Sequence, residues 1–91
     1  MFKTLEELIV VIRQRKGSSP EKSYTNKLLN DKKLITEKVK EEIAELIDAI
    51  EKNTNKVHEA ADVLYHLIVL LEANDIKIED VMSELKKRQK K

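Results

Sequence analysis

The sequence contains no cysteine and no tryptophan, a single glycine, a single proline and only 3% aromatic residues. Each shortage excludes something. Without cysteine there is no disulfide framework and no thiolate metal site, which fits a reducing compartment. With almost no chain breakers, and with leucine, isoleucine, lysine and glutamate abundant, helices are favoured over strands. A formal net charge of +1 leaves no global field to draw in nucleic acid or a membrane surface. Long apolar runs are missing as well. Residues 1–16 carry Glu6 and Glu7 ahead of a short apolar stretch, so they read as neither a signal peptide nor a membrane span. The expectation is a cytoplasmic protein without a nucleic-acid or membrane partner.

What is present is 91 residues, 41% of them hydrophobic and 38% charged, which suffices for one domain over 1–91 with a thin core. Thr4 followed by Glu7 has the spacing of a capping box, so a first helix starts at Thr4 and continues through Leu5, Leu8, Ile9 and Ile12. The loop Lys16-Gly17-Ser18-Ser19-Pro20 ends it. A short helix follows over Ser23–Leu29. A long third helix runs from about Asp31 to Asn53, with Ile35, Val39, Ile43, Leu46 and Ile50 as its apolar stripe. Asn53-Thr54-Asn55 breaks the chain, with Thr54 or Asn55 as N-cap of a fourth helix over about Lys56–Ala73. That helix is apolar almost all round, so it belongs in the middle of the fold. After Asn74-Asp75, the residues Ile78, Val81, Met82 and Leu85 mark a last amphipathic helix. The tail 86–91 is basic and reads as frayed. No aromatic residue interleaves with it, which argues against nucleic-acid binding. The fold class is therefore all-α, a bundle of four to five helices. One small chain offers too little cover for a central helix apolar on every side, so a homodimer is expected to complete the core.

Two acidic pairs stand out. Glu42 and Glu45 lie three residues apart on the third helix, and Glu59 and Asp62 on the fourth, so each pair shares one helix face. Glu42 is about 40° around the helix from Leu46, beside the apolar stripe, whereas Glu41 and Asp48 point further out. Asp62 sits among Ala61, Val63 and Leu64. Burying even one unpaired carboxylate costs several kcal/mol, roughly. Four converging ones need a positive charge between them, from nearby lysines or from a divalent ion. All-oxygen ligands suit magnesium or manganese rather than zinc. A di-iron bundle would carry histidine three residues after glutamate, and here Asp48 and Asp62 occupy those places. The alternative is that both pairs are ordinary solvated helix faces.

These residues in this order resemble a known family. Glu42-x-x-Glu45, a spacer and Glu59-x-x-Asp62 are similar to the signature of the MazG-like all-α nucleotide pyrophosphohydrolases. Within that group the resemblance is to phosphoribosyl-ATP pyrophosphohydrolase. It is carried by Ser23-Tyr24-Thr25 followed by Leu28, by Lys38-Val39-x-Glu41-Glu42-x-x-Glu45, by Glu59 through His66 with Leu70-Leu71, and by Glu79-Asp80-Val81, and it extends from about Leu5 to Arg88. The family usually has glycine where this chain has Lys40, so Lys40 is expected to point away from the site. No fused cyclohydrolase domain accompanies these motifs, so a stand-alone form is expected.

The resemblance implies magnesium-dependent hydrolysis of phosphoribosyl-ATP, the second step of histidine biosynthesis, with manganese as a substitute ion. It implies Glu42, Glu45, Glu59 and Asp62 as metal ligands and Glu41 as an acid or base beside them. Ser23, Tyr24, Thr25, Lys38 and His66 are candidates for substrate contact. Each has a plainer alternative: a helix N-cap and a core tyrosine for the first three, an ion pair with Glu42 for Lys38, a hydrogen bond to Asp62 for His66. Tyr65 packs or stacks on a base, with packing preferred, and His58 faces solvent. Arg13, Arg15 and Lys16 form either an electropositive rim or a solvated helix end. Two other functions fit the same acids or discard them: a house-cleaning nucleoside triphosphate pyrophosphohydrolase, and a non-enzymatic helical dimerisation module in which the acids are surface charge.

Overall fold

The computed structural model describes residues 2–89. Among them are five helices and no strand: α1 Lys3–Arg15, α2 Tyr24–Leu29, α3 Lys32–Lys52, α4 Lys56–Ala73 and α5 Ile78–Arg88. Polar residues set most of the helix ends. The Ser23 hydroxyl accepts from the Asn26 amide at 3.1 Å and caps α2. Asp31 does the same for α3, accepting from the Leu34 amide at 3.0 Å. Asn53 ends α3 in the left-handed region at φ 58°, and Asn55 enters α4 at φ 45° without a side-chain capping bond. Asparagine tolerates this backbone better than other non-glycine residues, so 53–55 reverses the chain sharply and α3 and α4 pair as a hairpin.

Two expected ends are corrected. The Phe2 carbonyl accepts from the amides of Leu5 and Glu6, so α1 begins before Thr4. Thr4 then lies within the first turn, and no side chain caps the helix. At the other end, α5 continues through Lys86, Lys87 and Arg88, part of the tail read as frayed. Lys90 and Lys91 of that tail lie outside the described residues.

The core is a cluster of Ile12, Leu28, Ile35, Val39, Ile68 and Val69, supplied by α1 to α4. α4 touches each of the other four helices and is central as expected. It is not covered on every side, because Val57, Leu64 and Leu67 are exposed. The stripe on α3 also needs correction. The residues turned inward are Ile35, Val39, Glu42, Leu46 and Ala49, while Ile43 and Ile50 are exposed. Inward spacings of four, three, four and three residues follow the 3.5-residue repeat of two helices packed along their length. Glu42 therefore occupies a seam position and does not merely border it.

α5 buries no residue of its own. An apolar cleft of about 780 Å³, lined by Leu5, Ile9, Val10, Ile68, Ile78 and Met82 among others, opens between α1 and α5. The helix is held instead by Arg13. Its Nη1 and Nη2 donate to the Glu79 carboxylate at 2.9 and 2.7 Å, and its Nε donates to Glu72 at 3.1 Å. Lys16 Nζ meets the other Glu72 oxygen at 2.9 Å. The Arg13 fork holds the Glu79 carboxyl down at about 2 and raises the Arg13 guanidinium above its ordinary value. A carboxyl lowered on folding stabilises the folded state above its unfolded value, about 4.3, and that contribution is lost as pH falls through the folded one. Acidification from about pH 4 to pH 2 is therefore expected to speed amide exchange over 78–88 before it does so in α3 and α4. Simultaneous exchange of all three helices would contradict the Arg13 attachment.

Candidate active site

The α3–α4 hairpin sets two acidic pairs against each other. One carboxylate oxygen from each of Glu42, Glu45 and Glu59 lies within 4.8 Å of the other two. Asp62 joins through Glu59, forming a second such group with Glu59 and His58. Three of the four acids read as metal ligands thus meet at one place, and Asp62 stands beside it in a second group that shares Glu59. At that spacing and an effective dielectric of about 20, each pair of charges repels by roughly 3 kcal/mol.

Burial pushes the Glu42 carboxyl above its ordinary value, the Glu45 charge pushes it further, and Asp62 adds to that against a counter-pull from His66. Glu42 Oε2 and Glu59 Oε2 are buried without a hydrogen-bond partner. Buried acceptors normally find one, because leaving them bare costs about 1 to 3 kcal/mol each. A hard divalent cation between these oxygens would satisfy both and neutralise the repulsion, and an all-carboxylate set fits magnesium or manganese. Asp62 is less buried than its flanking residues suggest, with a side chain 38% exposed and 3.4 Å from His58 Nε2. His58 is itself solvent-facing, as expected.

Glu41 stands at the exposed rim and pairs with Lys38 Nζ at 3.6 Å. The lysine's partner is thus Glu41 and not Glu42. Lys40 points outward and meets Glu37 at 3.9 Å, so the residue standing where glycine is usual does not obstruct the acids.

α2 packs against α4 beside the site. Ser23 is engaged in capping. The Thr25 hydroxyl bonds the Tyr65 hydroxyl, which bolts α2 to α4. His66 is buried, and its Nδ1 lies 2.8 Å from the Asp62 carbonyl oxygen. A carbonyl only accepts, so Nδ1 carries hydrogen, and Nε2 faces Tyr24, whose hydroxyl is 3.5 Å away. Tyr24 is half-exposed, and burial pushes its hydroxyl upward against the pull of Lys38. Of the five residues read as substrate contacts, Ser23, Thr25 and His66 hold firm partners within the protein. Tyr24 and Lys38 have the freer polar ends.

Arg13 and Lys16 do not form a rim around the acids. They are paired to Glu72, ten residues beyond Asp62 and so about 15 Å along α4. The importance of buried Glu72 and buried Asn26 was not read from the sequence. A signal existed for each: an acid inside an apolar helical run, and an asparagine inside a six-residue helix that it favours poorly.

A helical bundle in which two paired helices bring Glu42, Glu45 and Glu59 together, with Asp62 beside them, defines the class: an acidic site built on a helical hairpin. The sequence profile of the phosphoribosyl-ATP pyrophosphohydrolase family matches residues 5–89. The chain is 47% identical to the phosphoribosyl-ATP pyrophosphatase of Clostridium novyi, covering 96% of this chain and 82% of that one. It is 42% identical to the enzyme of the same name from Haloarcula marismortui, covering 92% and 91%. It also matches 41% of the length of a histidine biosynthesis bifunctional protein of Pyrococcus furiosus, at 45% identity over 94% of this chain. The chain belongs to the phosphoribosyl-ATP pyrophosphohydrolase family.

A carboxyl whose value is raised on folding stabilises the fold below its unfolded value and loses that contribution as pH rises through the folded one. Metal-free protein is therefore expected to lose melting temperature as pH rises above about 4.3, through Glu42. Glu42→Gln removes this slope and melts a few degrees higher than wild type at neutral pH, by roughly 1 kcal/mol. If the acids hold magnesium, the ion is expected to raise the wild-type melting temperature and to leave that of the variant nearly unchanged. A variant that melts lower than wild type without metal would mark Glu42 as a structural partner.

Proposed function

We propose that this chain hydrolyses phosphoribosyl-ATP to phosphoribosyl-AMP and pyrophosphate, the second step of histidine biosynthesis, with magnesium as its ion and manganese as a substitute. The observation that carries the reading is the convergence of Glu42, Glu45 and Glu59, two of them with orphaned buried oxygens, in a chain of this family. Relatives named phosphoribosyl-ATP pyrophosphatase match along nearly the whole chain.

Glu42, Glu45, Glu59 and Asp62 would hold the ion. Bound there, magnesium supplies charge neutralisation for the phosphate oxygens and a more acidic water. The protein's own groups do the positioning. Lys38, at the rim, is free to turn from Glu41 to a phosphate oxygen, exchanging one anionic partner for another. Glu41, outside the ligand set, then accepts the proton of the attacking water. The half-exposed Tyr24 ring meets the nucleoside portion, with His66 behind it and Thr25 securing its helix.

The reading places the enzyme in the cytoplasm. In support, no described helix is long and apolar enough to cross a membrane. It also includes a homodimer. Ile43, Ile47 and Ile50 on α3 and Val57, Leu64 and Leu67 on α4 lie exposed along the hairpin. A second copy covers this face and completes a core too thin for one chain. Leu64→Asp is expected to halve the mass seen in sedimentation and to lower the melting temperature. A wild type that sediments as a monomer would refute the dimer.

Pyrophosphate release with magnesium, compared across phosphoribosyl-ATP, ATP and a panel of damaged triphosphates, tests the reaction. Fast release is expected from phosphoribosyl-ATP alone, and Asp62→Asn is expected to remove about three orders of magnitude or more. Release from a different triphosphate would move the protein to house-cleaning hydrolysis. Silence on all of them, with a melting temperature blind to magnesium, would leave a helical dimerisation module.

A further inference from the structure

Asn26 is 2% exposed and is among the largest fully buried side chains of the protein. It touches no acid of the site. Its Nδ2 donates to the carbonyl oxygens of Arg15 at 2.8 Å and Ser18 at 3.0 Å, with Lys16 O further off at 3.5 Å. Its Oδ1 accepts from Asn30 Nδ2 at 3.1 Å, which fixes which end of the amide faces the loop. Its backbone amide is the one capped by Ser23. One side chain therefore ties the end of α1, the loop over 16–23 and the first turn of α2 into a single unit.

That unit ends at Tyr24 and Thr25, which lie against His66 and Tyr65. A helix of six residues has little stability of its own, since nucleation is costly and few bonds follow it. Leu28 anchors its C-terminal part in the core, so the placement of its first turn must come from what holds that end. Thr25 holds one side to α4, and Asn26 holds the loop that feeds it.

We infer that Asn26 is a positioning residue for the proposed reaction: by gathering the carbonyls of the α1–α2 loop, it sets where Tyr24 meets the nucleotide. The inference rests on the reading of the site as a phosphoribosyl-ATP pyrophosphohydrolase. The chemistry needed is specific. Only a neutral, planar amide offers two donors to several carbonyls and an acceptor to Asn30 at the same time. Aspartate has the same shape but turns a negative oxygen toward those carbonyls. Alanine leaves space, and water reaches carbonyls at the loop surface.

The test is a comparison of Asn26→Asp, Asn26→Ala and Asn30→Ala with the wild type, each assayed for pyrophosphate release from phosphoribosyl-ATP. A positioning role predicts that Asn26→Asp raises KM about tenfold or more while kcat stays within about twofold, and that Asn26→Ala and Asn30→Ala give smaller rises, about threefold. The magnesium-induced rise in melting temperature stays as in wild type, because the acids are untouched. A packing role predicts the opposite order, with alanine worse than the isosteric aspartate in stability and KM unchanged in all three. Unchanged KM in the folded variants overturns the inference. Should Asn26→Asp fail to fold, Asn26→Ala and the exposed Asn30→Ala decide by the same criterion. A wild type without activity would refute the reaction and not the loop brace. Amide exchange over 16–25 would then decide the brace, with faster exchange in Asn26→Asp supporting it and unchanged exchange overturning it.

Discussion

The structure is organised around a repulsion. Glu42 sits at a seam position of the α3–α4 hairpin, where the 3.5-residue repeat calls for an apolar side chain, and two further carboxylates stand within 4.8 Å of it. At roughly 3 kcal/mol per pair, this opposes a total stability of only about 5 to 15 kcal/mol for a domain. A chain of 91 residues with a six-residue core cluster cannot hold such a group without compensation nearby. The proposed ion would supply it electrostatically, by turning like charges into shared ligands. With that ion, binding and folding stability would be one equilibrium, and whatever perturbs the seam would perturb the site.

The two ends of α4 carry opposite electrostatic solutions. Near its start, Glu59 and Asp62 add negative charge to a place that already has too much. Near its end, Glu72 is buried but answered by both Arg13 and Lys16, and Arg13 reaches on to Glu79. Three helices are joined at the matched end by groups 59 and 66 residues apart in sequence. The hydrophobic cluster lies between the two ends, with Ile68 and Val69 on the same helix. Such a division is expected where function demands a locally unfavourable arrangement: consistency elsewhere in the fold carries the exception.

Much of this was legible in the sequence, for identifiable reasons. Ser23, Asp31, Asn53 and Asn55 carry their turn chemistry in their own side chains or backbone preferences, so the ends of α2, α3 and α4 could be read locally. Thr4 has the same chemistry but was preceded by a carbonyl, that of Phe2, already able to start the helix. The acidic pairs were legible because a spacing of three residues fixes a shared face. Their meeting across α3 and α4 was expected from both pairs lying beside apolar residues, and the resemblance added the roles. The seam was misread by one position because an apolar stripe was assigned by residue type, which favoured Ile43 and Ile50 over Glu42 and Ala49. Nothing local told Arg13 from Arg15, since the partners of Arg13 lie on α4 and α5.

The misread stripe and the role of α2 bear on each other. With Ile43 and Ile50 turned outward, the hairpin has two distinct long edges: an inward seam interrupted by the carboxylate of Glu42 and an exposed apolar face. On the proposed dimer, the site is not closed from the hairpin's apolar side, because a second copy covers that side. What remains beside the site is α2, the shortest helix, with its hydroxyl bolt to Tyr65 and its capped first turn. This explains why a segment of six residues carries so many side-chain hydrogen bonds. A short helix beside a repulsive site gains little from burial, with Asn26 and Leu28 its only buried residues. Directional bonds from Ser23, Thr25 and Asn26 supply the precision that its small hydrophobic contact cannot.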